Sequence, residues 1–261
     1  MSIIDSFRLD GKVALVTGAS RGIGAGIAMG FAEAGADLAL VSRTAADLEK
    51  VAAAVRALGR RAEVIPADVG DAEAVAGIVE RAVAAYGRID ILVNAAGVTR
   101  RVPIIEATPA DYDFVLNINL RGVYFLSQAV GRVMKQRGGG KIINIASMTT
   151  YRGYEALSPY GISKAGVANL TRYLAVEWAK YNIQANAIAP GWIETPMTAG
   201  MGKGRRQWVI EHTPQGKFGQ PRDVAALAVY LASAASDFLT GQTIPLDGGF
   251  MAGHPWPDLA Q

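Results

Sequence analysis

The sequence predicts an α/β fold, a single domain built on a doubly wound parallel sheet of about seven strands with helices on both faces. Three observations predict it. Short apolar runs alternate along the chain with longer segments whose apolar residues recur at helical spacing. The runs are apolar at successive residues, as strands covered on both faces require. No linker divides the 261 residues, and α/β folds of this length commonly form one domain. The composition agrees, because 51% hydrophobic residues supply a large core and 30 glycines suit many tight turns.

The elements follow in order. Val13 to Val16 form a strand, a glycine-rich turn follows, and Ile23 to Ala34 carry the helical repeat. Leu38 to Val41 form the second strand. Ala45 to Leu58 form the next helix, with Leu48, Val51, Val55 and Leu58 on one face. A strand near Ala62 to Pro66, a helix from Asp71 to Tyr86 and a strand from Ile89 to Val93 repeat the unit, joined by the usual right-handed crossovers. Pro109 opens one long helical segment to about Arg137, three glycines at 138–140 end it, and Lys141 to Ser147 read as a strand. A helix from about Ser158 to Lys180, a strand near Gln184 to Ala189, a helix from Arg222 to Ala232 and a strand at Thr243 to Leu246 complete the chain. The irregular segment 192–214 is the expected lid at the sheet's carboxyl edge.

Composition also excludes functions. The formal charge is +3 and the basic residues are scattered, unlike the dense stripe of a nucleic-acid surface. Cysteine is absent, so disulfides and thiolate metal sites are excluded. His212 and His254 are the only histidines, and two isolated imidazoles do not make a metal site. The N-terminus carries Asp5 and Asp10 and no long apolar core, so no secretion signal is expected. No run approaches the ~18 apolar residues of a membrane span, and a cytoplasmic protein is expected.

Thr17 to Gly24 read TGASRGIG, with glycines at 18, 22 and 24 between the first strand and the first helix. Residues without Cβ permit a tight turn and close approach of a phosphate to the N–H groups at the helix start. The spacing departs from the usual Gly-x-Gly-x-x-Gly fingerprint, and a plain glycine-rich turn would read the same. The second strand ends Val41-Ser42-Arg43 without an acid at its tip, and Arg21 lies inside the loop. An acid there would suit NAD, whereas arginine suits the 2′-phosphate of NADP. Tyr160 and Lys164, in YGISK, stand one helical turn apart, which spacing alone leaves open between chemistry and packing.

With these motifs, Asn94-Ala95-Ala96-Gly97, Asn119 and Ser147 in order from Gly11 to Gly249, the chain resembles the short-chain dehydrogenase/reductase family, which has a Rossmann fold. NAAG replaces the family's more frequent NNAG. The resemblance implies that Gly18, Ser20, Arg21, Gly22, Ile23 and Gly24 hold pyrophosphate and ribose, with Ser42 and Arg43 at the adenosine ribose. It implies that Asp68 and Val69 contact adenine, that Asn94, Ala95 and Gly97 flank the cofactor, and that Pro190, Gly191, Ile193 and Thr195 receive the carboxamide. NADP(H) is the expected cofactor in preference to NAD(H), and no metal is expected. Tyr160 is implied as the general acid or base, with Lys164 lowering its pKa. Ser147 would stabilise the substrate oxygen, and Asn119 would hold a water linking Lys164 to solvent.

NAAGVTRRVP, GKIINIASM and WAKYNIQANAIAPGWIETP are similar to the gluconate 5-dehydrogenase and 2-deoxy-gluconate dehydrogenase branches. A sugar acid would need a cation, offered first by Arg100 and otherwise by Arg101 or Arg152, with Trp192 also at the substrate. The rival enzyme is a 3-oxoacyl thioester reductase, for which Lys203, Arg205 and Arg206 would supply a basic groove for an acidic carrier protein. Glucose 1-dehydrogenases and broad ketone reductases are further alternatives, and a non-catalytic NADP-binding sensor or scaffold is an alternative of another class. The family implies a homotetramer or homodimer. The tail, about 250–261, bears Phe250, Met251, Pro255 and Trp256, and is expected to pack across a subunit boundary or help close the site.

Overall fold

A computed structural model describes residues 2–254; Pro255 and Trp256 of the tail lie outside them. The element order is β1 (Val13–Thr17), α1 (Gly22–Glu33), β2 (Asp37–Ser42), α2 (Ala45–Ala57), β3 (Ala62–Pro66), α3 (Ala72–Tyr86) and β4 (Ile91–Asn94), then α4 (Pro109–Leu116), α5 (Val123–Arg137), β5 (Gly140–Ile145), α6 (Ser158–Trp178), β6 (Ile183–Pro190), α7 (Pro196–Ala199), α8 (Lys203–His212), α9 (Pro221–Ala232) and β7 (Thr243–Leu246). The seven strands pair in the order β3-β2-β1-β4-β5-β6-β7, every pair parallel.

Alternation along each strand sends side chains to two cores. Val16 and Leu40 pack with Ile27 and Phe31 of α1 and Val224 of α9. Leu15 and Val41 pack with Ile78 of α3, Leu126 of α5 and Leu170 of α6. Strand order reverses between β1 and β4, so the carboxyl ends of these strands open the crevice where such sheets hold ligands. Among the described residues no helix is long and apolar enough to cross a membrane.

Two segments differ from the sequence expectation. The helix read from Pro109 to Arg137 is interrupted by a π-helical turn at Asn117–Gly122. A Cβ on Gly122 would lie 2.3 Å from the Val69 carbonyl oxygen, and the extra residue of the π-turn lets the backbone press there. The lid is not irregular throughout, since it contains α7 and α8. Thr195 and Thr198 form a capping box at α7. Arg206 of α8 pairs with Glu194 and stacks 4.3 Å from the centre of the Phe218 ring.

Candidate active site

At the switch point a cavity of about 520 Å³ opens between the β1–α1 turn, the tip of β2, the end of β4 and α7. Gly18 is at φ +64°, and a Cβ there would sit 2.8 Å from Ala96 Cα and N, so glycine alone allows the turn to lie against the end of β4. Thr17 Oγ1 fixes that contact from below by accepting from Ala95 N and Ala96 N, each at 3.1 Å. Gly24 presses against the Gly18 carbonyl, where a Cβ would stand 2.3 Å away. The cradle is therefore backbone-lined at the N-terminus of α1, a natural seat for pyrophosphate.

Ser20, Arg21, Gly22, Ile23, Ser42, Arg43, Asp68, Val69, Ala95, Gly97 and Thr195 all line this cavity. The Ser42 hydroxyl is buried without a hydrogen-bond partner among the described residues. Arg43 Nη1 stands 3.9 Å from Asp68 Oδ2. An orphaned hydroxyl with two arginines fits a phosphorylated ribose, so the residues present fit a dinucleotide.

The other end of the cavity carries Tyr160 and Lys164, on the first two turns of α6. Lys164 is buried, its Nζ donating to the Ile145 carbonyl at 2.6 Å. Burial lowers its pKa to about 8. Tyr160 differs from the expectation: burial raises its pKa, while a hydrogen bond with Ser147 pulls it down. The Lys164 ammonium lies 5.7 Å from the phenol ring centre, and desolvation outweighs its influence in the protein alone. Ser147 is extended at the end of β5, caps the following turn by accepting from Thr149 N, and is buried.

Asn119 sits in the π-turn and is fully buried. Its Oδ1 accepts from Val98 N at 2.8 Å, and its Nδ2 donates to Val98 O at 2.9 Å and Ser163 Oγ at 3.1 Å. Ser163 in turn donates to the Tyr160 carbonyl at 2.7 Å. One side chain thereby ties the β4–α4 connection to the helix bearing Tyr160 and Lys164.

The family model described as enoyl-(acyl carrier protein) reductase, a model of the short-chain dehydrogenase/reductase family, matches residues 18–251. Over 253 residues the chain is 45% identical to the 2-dehydro-3-deoxy-D-gluconate 5-dehydrogenase of Dickeya dadantii (strain 3937), covering 96% of this chain and 99% of that protein. The chain belongs to the short-chain dehydrogenase/reductase family. A gluconate 5-dehydrogenase from Burkholderia cenocepacia J2315, solved in complex with NADP and tartrate, superposes with a TM-score of 0.93 at 40% identity, covering 97% of this chain and 100% of that one. The 3-oxoacyl-[acyl-carrier-protein] reductase of Thermotoga maritima is 38% identical over 244 residues, covering 94% of this chain and 99% of that protein.

Not every expected residue of this short-chain dehydrogenase/reductase faces the cavity. The Asn94 side chain turns away from the cavity: its Nδ2 donates to Ser127 Oγ and Asn144 Oδ1, at 3.0 and 2.8 Å, in a buried network between β4 and β5. Pro190 closes β6. Gly191 abuts Asp247, where a Cβ would meet Asp247 Cβ at 2.7 Å. Ile193 is buried in the core cluster that includes Ile27. Arg100 is taken by Asp111 at 2.9 Å and lies over the Phe114 ring. Arg152 and Trp192 lie outside the dinucleotide cavity, grouped with Phe250 and with Tyr154, whose hydroxyl meets Met148 beside Ser147. Thr17 and Ser163 escaped the sequence analysis, because a threonine ending a strand and a serine within a helix carry no signal until their partners are known.

Proposed function

We propose that this enzyme is an NADP(H)-dependent oxidoreductase that interconverts a secondary alcohol and a ketone on a sugar acid, of the gluconate or 5-keto-gluconate kind. The observation that carries the proposal is the convergence of Ser147, Tyr160 and Lys164 at one end of a dinucleotide-sized cavity. Relatives of the same length are named for sugar-acid dehydrogenation, one of them solved with NADP. Ser42, Arg43 and Arg21 would hold the 2′-phosphate, with no acid at the tip of β2 to repel it.

A nicotinamide nucleotide bound in the cavity supplies the hydride for reduction and accepts it in oxidation. The Tyr160 phenol, kept protonated by burial, donates its proton to the substrate oxygen as negative charge develops there. Ser147, which hydrogen-bonds Tyr160 in the protein alone, turns its single O–H to the same substrate oxygen and stabilises the charge developing there. From below, Lys164 neutralises the phenolate that is left. Asn119 Oδ1 and Lys164 Nζ lie within 3.5 and 3.6 Å of the point where a Cβ on Gly97 would stand. The second lone pair of that oxygen is thus free to hold a water that returns a proton to Lys164.

Exposed Tyr124, Tyr173 and Val176 on α5 and α6 support the homotetramer or homodimer, since apolar groups of this size seldom stay in water together. The same proposal places the enzyme in the cytoplasm, with a small molecule as substrate. The Thermotoga relative favours a second reading, 3-oxoacyl thioester reduction. The lid supports it less, because Arg206 is taken by Glu194, leaving Lys203 and Arg205 for a carrier protein. Oxidation of NADPH and NADH with 5-keto-gluconate, 2-keto-3-deoxygluconate, an acetoacetyl thioester and plain ketones decides between them. Turnover of a keto acid with NADPH is expected. Preference for the thioester would move the enzyme to the second reading, and silence on every substrate despite NADPH binding would support a sensor.

A further inference from the structure

The segment joining Ser147 to Tyr160 carries one arginine, Arg152, and it is held differently from three other cations near the site. Arg100 is paired with Asp111, Arg43 with Asp68 and Arg206 with Glu194. Arg152 has no carboxylate within ion-pair distance among the described residues. Its guanidinium instead lies over two aromatic rings, 5.4 Å from the centre of Tyr154 and 5.3 Å from that of Phe250. Rings hold a guanidinium by its face and leave the N–H edge free.

The platform is built rather than incidental. Tyr154 Oη contacts Met148 Sδ at 3.6 Å, directly after Ser147. Phe250 is buried, and its turn is fixed by Asp247, whose two oxygens accept from Gly249 N and Met251 N at 3.0 and 2.8 Å. These bonds orient the Asp247 carboxylate, which forms no ion pair with Arg152. Trp192 stands edge-on to both rings, at 6.1 and 6.5 Å, and its buried Nε1–H has no acceptor among the described residues. Ala156 adopts φ 58°, a strained conformation for a residue with a Cβ, and its carbonyl accepts from Val102 N at 3.0 Å. That bond pins the Arg152 segment to the connection after β4.

We infer that Arg152, held on Tyr154 and Phe250, is the specificity residue that binds the substrate carboxylate, so that the C-terminal turn takes part in substrate choice. The inference rests on the sugar-acid reading given above. A planar fork that is positioned but unpaired matches a carboxylate bidentately. Arg100 and Arg101 then serve the rim of the site.

The test is steady-state reduction of 5-keto-gluconate and 2-keto-3-deoxygluconate by NADPH, with NADPH affinity followed by fluorescence. Arg152→Ala is expected to raise KM by about 10–100-fold, the range of a lost charged hydrogen bond, with kcat changed far less and NADPH affinity unchanged. Arg152→Lys is expected to recover only part, because an ammonium lacks the fork. Phe250→Leu, which keeps the charge and removes one ring of the platform, is expected to raise KM in the same sense. An unchanged KM in Arg152→Ala, or a rise matched by an equal loss of NADPH affinity, overturns the assignment. Wild-type turnover of an acetoacetyl thioester but of neither keto acid overturns the sugar-acid reading itself, and is seen before any variant is made.

Discussion

The nucleotide end and the substrate end of the crevice are built in different ways. At the nucleotide end the walls are main chain: the turn from Gly18 to Gly24 presses on the end of β4 and presents N–H groups at the start of α1. At the substrate end the chemistry rests on side chains from distant parts of the sequence, Ser147, Tyr160 and Lys164, with Arg152, Trp192 and Phe250 assigned there by the inference above. A wall of backbone pressed this closely tolerates almost no substitution. A wall of side chains can be exchanged without touching the fold, which is where specificity can diverge.

That contrast can be broken first at Gly18. Gly18→Val places a branched side chain at φ +64° and within 2.8 Å of Ala96. Holding the turn against β4 would then cost about 2 kcal/mol, so the turn shifts off that position, and NADPH, which needs it there, binds at least ~30-fold more weakly. Titration of NADPH fluorescence checks it, and an unaltered affinity would mean that the turn is not held by its contact with β4.

A smaller effect sharpens the contrast from within the substrate end. Lys164 has a folded-state pKa of about 8 against an ordinary 10.5. Below about pH 8 both folded and unfolded chains hold the proton and the native state bears the full cost of burying the ammonium. Above 10.5 neither holds it. Stability of the wild type relative to Lys164→Met therefore rises with pH across that window, by about 2 kcal/mol between about pH 7.5 and about 9.5. Tyr160 is common to both proteins and cancels. Urea unfolding at the two pH values measures it, and a flat difference would mean that the ammonium is not desolvated.

Much of this was legible in the sequence, for a physical reason. Elements with one period are local, so the strands at Val13 and Leu38 and the helices after them could be read from neighbours a few residues away. The same holds for the glycine turn and for the pair Tyr160 and Lys164. The π-turn was not legible, because it depends on Gly122 meeting Val69 and on Asn119 meeting Val98, contacts between residues 21 or more positions apart. Asn94 misled for the same reason: its place beside the loop was right, but its side chain turns to Asn144, its partner in strand register. Arg100 looked free in the sequence and is paired with Asp111, whereas Arg152 gave no sign of the rings that hold it.

Separating binding from turnover in Tyr160→Phe tests whether the two ends divide the work as described. NADPH affinity is measured by fluorescence and keto-acid reduction by loss of NADPH absorbance, on the same preparation. The phenylalanine keeps the ring and removes the proton that is transferred to the substrate oxygen, so turnover is expected to fall by about 10²–10⁴-fold while NADPH binds as before. Turnover within a few-fold of wild type would contradict the assignment of Tyr160 as the acid, and with it the chemistry proposed for Ser147 and Lys164.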